Sequence, residues 1–155
     1  MRPLEQTRVL VTGATGFVGQ HLCRKLVAQG TTTFGLSRSA SPNTLPSGVI
    51  PIAADVTRRD AMIAALDQAR PSHVVHLAAV GATEPFLPIE EARRVNLTGT
   101  IHTLEASQLV GIERFLHVGT AYEHSAAGSQ QPHNPYVASK VAAWSFWQTF
   151  IQEGN

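Results

Sequence analysis

Apolar positions in this 155-residue chain gather into short runs, separated by longer stretches in which they recur every three or four residues. The short runs are rich in Val, Leu and Ile and predict strands buried on both faces. They are RVLVTG (8–13), TTTFGLSR (31–38), VIPIAADV (49–56), SHVVHLAAV (72–80) and RFLHVGT (114–120). Pro51 cannot donate to a sheet ladder, so it either weakens the third run as a strand or places it at a sheet edge. FVGQHLCRKLVAQG (17–30) predicts a helix closed by Gly30, and RRDAMIAALDQAR (58–70) one stopped by Pro71. IEEARRVNLTGTIHTLEASQLVG (89–111) predicts a long helix ending near Gly111, and YVASKVAAWSFWQTFIQ (136–152) a last one. SASPNTLPSG (39–48) reads as a loop. Strands alternating with helices imply right-handed βαβ units, hence an α/β fold whose parallel sheet is covered on both faces.

Composition narrows this by exclusion. The length allows one domain with a sizeable core but hardly two, and neither a linker nor an internal repeat divides residues 1–155. Hydrophobic residues make up 43% and charged residues 15%, a globular balance without the signature of disorder. A formal net charge of +1 suggests neither a nucleic-acid surface nor an acidic tail. Cys23 is the sole cysteine, which rules out an internal disulfide and fits a reducing compartment. The start, MRPLEQTRVLVTGATG, lacks the apolar core of a signal peptide, and no run approaches a membrane span. A soluble, cytoplasmic protein is expected.

VTGATGFVG places Gly13, Gly16 and Gly19 between the first strand and the first helix. A tight turn there needs a residue without Cβ, and a pyrophosphate needs the backbone to come close. The helix N-terminus then offers unpaired N–H groups to the phosphates. Thr15, Phe17 and Val18 complete the loop and the first helical turn as cofactor-contact candidates. The GxxGxxG spacing, HLAA at 76–79, and Tyr136 with Lys140 together resemble the short-chain dehydrogenase/reductase superfamily. The closer resemblance is to its extended branch of nucleotide-sugar epimerases, dehydratases and 4-ketoreductases, and it runs from about residue 8 to 152. It implies a Rossmann-like, doubly wound sheet of five strands in the order 3-2-1-4-5, with a dinucleotide lying across the strand ends.

A carboxylate commonly ends the second strand of an NAD-binding unit, where it bonds the adenine ribose. No acidic residue occurs between Glu5 and Asp55, and the strand ends in Ser37-Arg38. A guanidinium there can pair with a 2′-phosphate, so NADP(H) is favoured over NAD(H); a plain surface charge is the other reading of Arg38. The resemblance places Asp55 and Val56 beside the adenine ring, although Asp55 or Thr57 could equally cap the following helix. It also places Leu77, Ala78 and Ala79 where the nicotinamide half passes. Small residues in a buried strand end are also ordinary packing. Asn96 falls where relatives often carry Asn, to fix water or backbone near the site or simply as a buried, satisfied amide.

Tyr136 and Lys140 are four residues apart and therefore share a helix face. A cation beside a phenol favours the phenolate, which makes Tyr136 a candidate acid/base and Lys140 the charge that eases loss of its proton. Without the glycine loop and the strand order, the same spacing would read as a solvated helix face. In the resembling enzymes the lysine also holds the nicotinamide ribose. Aligning His124-Ser125 of GTAYEHS (119–125) with the usual Tyr-Gly puts Thr120 at the substrate-orienting hydroxyl, the alternative being a plain strand threonine. Dehydratases of this branch carry Asp-Glu after that threonine, where this chain has Ala121-Tyr122 and a displaced Glu123. Reduction, oxidation or epimerisation through a transient ketone is therefore expected instead of dehydration. His117, His124 and His133 are too widely spaced for a metal motif, and no G-x-S-x-G elbow is present. Trp144, Trp147 and Phe150 recur at threes and predict an aromatic stripe in the core or at a subunit interface.

Members of the resembling branch run to about twice this length and carry a C-terminal substrate lobe. The chain is therefore expected to be the cofactor-binding half of a longer enzyme acting on a nucleotide-linked sugar or similar carbonyl compound. The alternative is a non-catalytic dinucleotide-binding or interaction module. Either would leave the fifth strand with an open edge, which favours a homodimer or a partner that completes the site.

Overall fold

The computed structural model describes residues 3–82, 86–121 and 134–153. A short 3-10 turn (Leu4–Gln6) leads into β1 (Arg8–Thr12), α1 (Phe17–Ala28), β2 (Thr32–Ser37), β3 (Ile50–Ala53) and α2 (Arg59–Ala69). Then come β4 (His73–His76), α3 (Ile89–Ala92), a π-helical segment (Arg93–Thr98), α4 (Gly99–Val110), β5 (Arg114–His117) and α5 (Pro135–Glu153). All four strand pairings are parallel and give the order β3-β2-β1-β4-β5, the predicted Rossmann-like arrangement. β3, with Pro51, stands at one edge and β5 at the other.

Alternation along the strands sorts side chains to two faces. Leu10, Phe34, Leu36, Ile52 and Val74 pack with Met62 and Leu66 of α2 and Ala106 of α4. Val9 and Val11 point the other way, against Cys23 and Leu26 of α1 and Leu45 and Val49 of the 39–49 loop. Cover on this second face stops short of β5, where Leu116 is 57% exposed. The predicted cover of both faces thus holds over the centre of the sheet and not, among the described residues, at β5. On α5, Trp147 stacks on His117 with ring centroids 6.2 Å apart, whereas Phe146 is 51% exposed. Among the described residues no helix is long and apolar enough to cross a membrane.

Four predicted spans differ instructively, three of them strands and one a helix. The runs at 49–56, 72–80 and 114–120 pair for only four residues each, because their C-terminal parts leave the ladder. The helix predicted over 89–111 contains a six-residue π segment. Each widened turn admits an extra residue and shifts the helical phase, which periodicity does not reveal.

Leu66 is fully buried between α2 and the sheet. Leu66→Ala is expected to cost about 3 kcal/mol in urea denaturation, and Phe146→Ala less than about 0.5 kcal/mol.

Candidate functional site

A cleft of about 260 Å³ opens over the C-terminal ends of the strands, at the point between β1 and β4 where the strand order reverses. Gly13, Thr15 and Gly16 form its floor, Ser37 and Arg38 line it after β2, and Asp55 and Val56 after β3. Leu77, Ala78 and Ala79 line it after β4. Ten of the residues singled out in the sequence therefore meet in one space.

The glycine loop is shaped by close approach. Gly13 has φ +67°, and a Cβ there would lie 2.9 Å from the amide nitrogen of Ala78. A Cβ on Gly19 would lie 2.3 Å from the Gly13 carbonyl oxygen. Gly19 therefore packs the helix against the loop and does not line the cleft. Phe17 and Val18 lie outside the lining as well, 82% and 59% exposed.

Asp55 Oδ1 accepts the Thr57 N–H at 2.9 Å, closing a turn. Neither Asp55 nor Thr57 caps α2, whose N-cap position is Arg58, without a side-chain cap bond. Burial pushes the Asp55 carboxyl upward, but the Thr57 hydrogen bonds and the fields of Arg38 and Arg94 outweigh it and hold the group below its ordinary value. Ser37 Oγ is buried on the cleft wall without a hydrogen-bond partner. An orphaned hydroxyl and an exposed guanidinium line the same cleft as the glycine turn, a donor set that fits a dinucleotide.

Behind the cleft runs a buried hydrogen-bond chain that the sequence did not disclose. The Thr100 hydroxyl donates to the Asn96 carbonyl at 2.7 Å, so it can only accept from His76 Nε2 at 3.0 Å. His76 Nδ1 then accepts from the Thr12 hydroxyl at 2.8 Å. Thr12 Oγ1 in turn accepts the N–H groups of Leu77 and Ala78, each at 3.2 Å. The Asn96 side chain pairs both ways with the Val80 backbone, at 2.8 and 3.0 Å, and donates to Ser139 Oγ at 2.9 Å. Ser139 donates to the Tyr136 carbonyl at 2.8 Å. Asn96 therefore does not line the cleft; it joins the strand end to the helix bearing Tyr136.

That helix, α5, is started by Asn134, whose Oδ1 accepts the Val137 N–H at 2.9 Å, followed by Pro135 in the first turn. Tyr136 is half-buried. Lys140, one turn on, is 3% exposed and donates from Nζ to the Val118 carbonyl at 2.6 Å. This bond ties α5 to the segment that carries Thr120, itself half-buried beyond β5. Tyr122, Glu123, His124, Ser125 and His133 lie outside the described residues. Among the described residues no group of three His, Cys, Asp or Glu side chains could hold a metal ion.

His76 and His117 stack at 6.1 Å, and both ring nitrogens of His117 are buried without partners. Burial, then the charge of Lys140, lowers His117 to about 4. His76 is lowered well below the ordinary histidine value by burial and by the charges of His117 and Lys140. Depressed folded values mean that the unfolded chain takes up protons first. Stability should thus be fully present above about pH 6.5 and fall as the pH drops towards about 4. Urea midpoints at about pH 7.5 and about pH 5 measure this, and His117→Phe should make the fall shallower. Equal midpoints at the two pH values would contradict it.

Comparison with known proteins gives a consistent picture. The chain is 35% identical over 128 residues to 3-diazoavenalumate denitrifying reductase of a Streptomyces species, covering 81% of this chain and 40% of that protein. It is 31% identical over 153 residues to UDP-glucose 4-epimerase of Mycolicibacterium smegmatis, covering 87% and 48%. Among solved structures it superposes on the Bordetella bronchiseptica enzyme WbmG in complex with NAD and UDP with a TM-score of 0.80. That pair shares 27% identity over 92% of this chain and 49% of the other. The chain spans about half the length, or less, of the proteins it matches. The NAD dependent epimerase/dehydratase family matches residues 9–155. With that match running from β1 through the helix of Tyr136 and Lys140, the chain belongs to the NAD dependent epimerase/dehydratase family.

Proposed function

We propose that this chain is the dinucleotide-binding domain, residues 1–155, of an NADP(H)-dependent reductase or epimerase. Its substrate would be a nucleotide-linked sugar or a similar carbonyl compound. The observation that carries this reading is the cleft itself. A glycine cradle, the orphaned Ser37 hydroxyl, Arg38 and Asp55 meet at the strand-order switch point. A relative that is a UDP-glucose 4-epimerase, and a solved neighbour bound to NAD and UDP, support the substrate class.

The backbone of Gly13 to Gly16, at the start of α1, would hold the pyrophosphate. Arg38 would pair with a 2′-phosphate, since a carboxylate that would repel it is missing from residues 6–54. When bound, the nicotinamide supplies or accepts a hydride at the carbonyl carbon. Tyr136 would donate its phenolic proton to the carbonyl oxygen in reduction, and take it back from the alcohol in oxidation. The Lys140 ammonium, buried one turn away on the same helix, would offset the charge left on Tyr136 when it gives up that proton. Thr120 would orient the reacting oxygen. Asn96 and Ser139 act on this chemistry by holding the first turn of α5 in place.

Calorimetric titration should give tighter binding of NADPH than of NADH. Arg38→Ala should remove most of that preference, about tenfold, while barely changing NADH affinity. Tyr136→Phe should leave cofactor affinity intact and lower turnover of a nucleotide-sugar and carbonyl panel by a factor of about a hundred or more. Binding without turnover of any substrate would assign a dinucleotide-binding module instead. Binding of neither cofactor would overturn the proposal.

A further inference from the structure

Arg94 lines the cleft and has no part in the function proposed above. It projects from the π-helical segment and is exposed, yet it is not loose. Its Nη1 donates to Thr57 Oγ1 at 3.1 Å, and the Thr57 N–H is bound by Asp55. A long cationic side chain is thus anchored two residues beyond Asp55. The ribose end of the cleft, with Ser37 and Arg38, is formed by a different strand. Asp55 can accept from an exocyclic amino group, Val56 offers an apolar contact, and a guanidinium has a flat face suited to an aromatic ring. These three requirements together describe a purine base.

Resting on the reading of the cleft as a dinucleotide site, we propose that Arg94 stacks its guanidinium on the adenine ring, with Thr57 holding its plane. Arg38 and Arg94 then divide the work. Arg38 reads the phosphate on the ribose, and Arg94 covers the base and is indifferent to that phosphate. The second role does not distinguish NADPH from NADH. It sets how tightly any adenosine ligand is held.

The test is calorimetry of the full chain with 5′-AMP and with 2′,5′-ADP. Arg94→Ala should weaken both ligands by the same factor, about three- to tenfold. Arg94→Lys should bind as poorly as Arg94→Ala, because an ammonium keeps the charge and loses the plane. Thr57→Val should weaken binding by about twofold in the native background and add nothing to Arg94→Ala. Matching urea midpoints would show that each variant is folded. Full binding by Arg94→Lys, or a loss confined to 2′,5′-ADP, would make Arg94 a phosphate ligand and overturn the proposal. Unchanged binding of both ligands in Arg94→Ala would overturn it while leaving the dinucleotide site standing. Failure of the unsubstituted chain to bind either ligand would overturn both.

Discussion

The buried chain of hydrogen bonds through His76 is the constraint on which the site depends. Each proton in it has one destination. Thr100 has given its proton to the helix backbone, so His76 must donate through Nε2 and accept through Nδ1. Thr12 therefore points its hydroxyl proton at the ring and offers its lone pairs to the backbone leaving β4. One neutral tautomer satisfies every group, whereas a charged imidazole would leave a proton without an acceptor. Losing a member of such a chain orphans its neighbours at about 1–3 kcal/mol each. β1, β4 and the π segment are thereby locked at the edge of the cleft, and the glycine turn is held against Ala78.

From that lock the order extends to the helix that carries Tyr136. Asn96 lies at the junction: its carbonyl ends the His76 chain, and its side chain bridges Val80 and Ser139. The π segment gives this residue its position, with a wider turn in the helix at the place where the site requires it. Lys140 fastens the same helix to the strand side through Val118. The cofactor half of the cleft and the base of the tyrosine helix thus form one hydrogen-bonded body. On β5 and just after it this body presents apolar surface at Leu116 and Val118, in a chain about half as long as the proteins it matches.

The fold was legible in the sequence because its cause is local. Buried parallel strands need short apolar runs, the helices between them need a periodic face, and Pro51 belongs at an edge. The cleft was legible for a related reason. A turn that brings backbone to a phosphate requires glycines at fixed spacing, and ten singled-out residues line one space. Phe17 and Val18, taken with the loop, instead face outward on α1, because helical rotation turns them away after the loop ends.

Hydrophobic pattern and glycine spacing thus determined, by themselves, the class of fold and the end of the sheet where the cleft opens, while the strand order followed from the family resemblance that the motifs carry. The tertiary structure decided which distant polar residues meet. Thr12, His76 and Thr100 are 64 and 24 residues apart and have no shared periodicity. Arg94 and Thr57, 37 residues apart, meet only because α2 and α4 pack on the same face of the sheet. A π-helical turn and a hydrogen-bond partner are outcomes of packing among elements. Local sequence carries the cost of a turn or a strand, but it carries no record of which side chain will stand opposite.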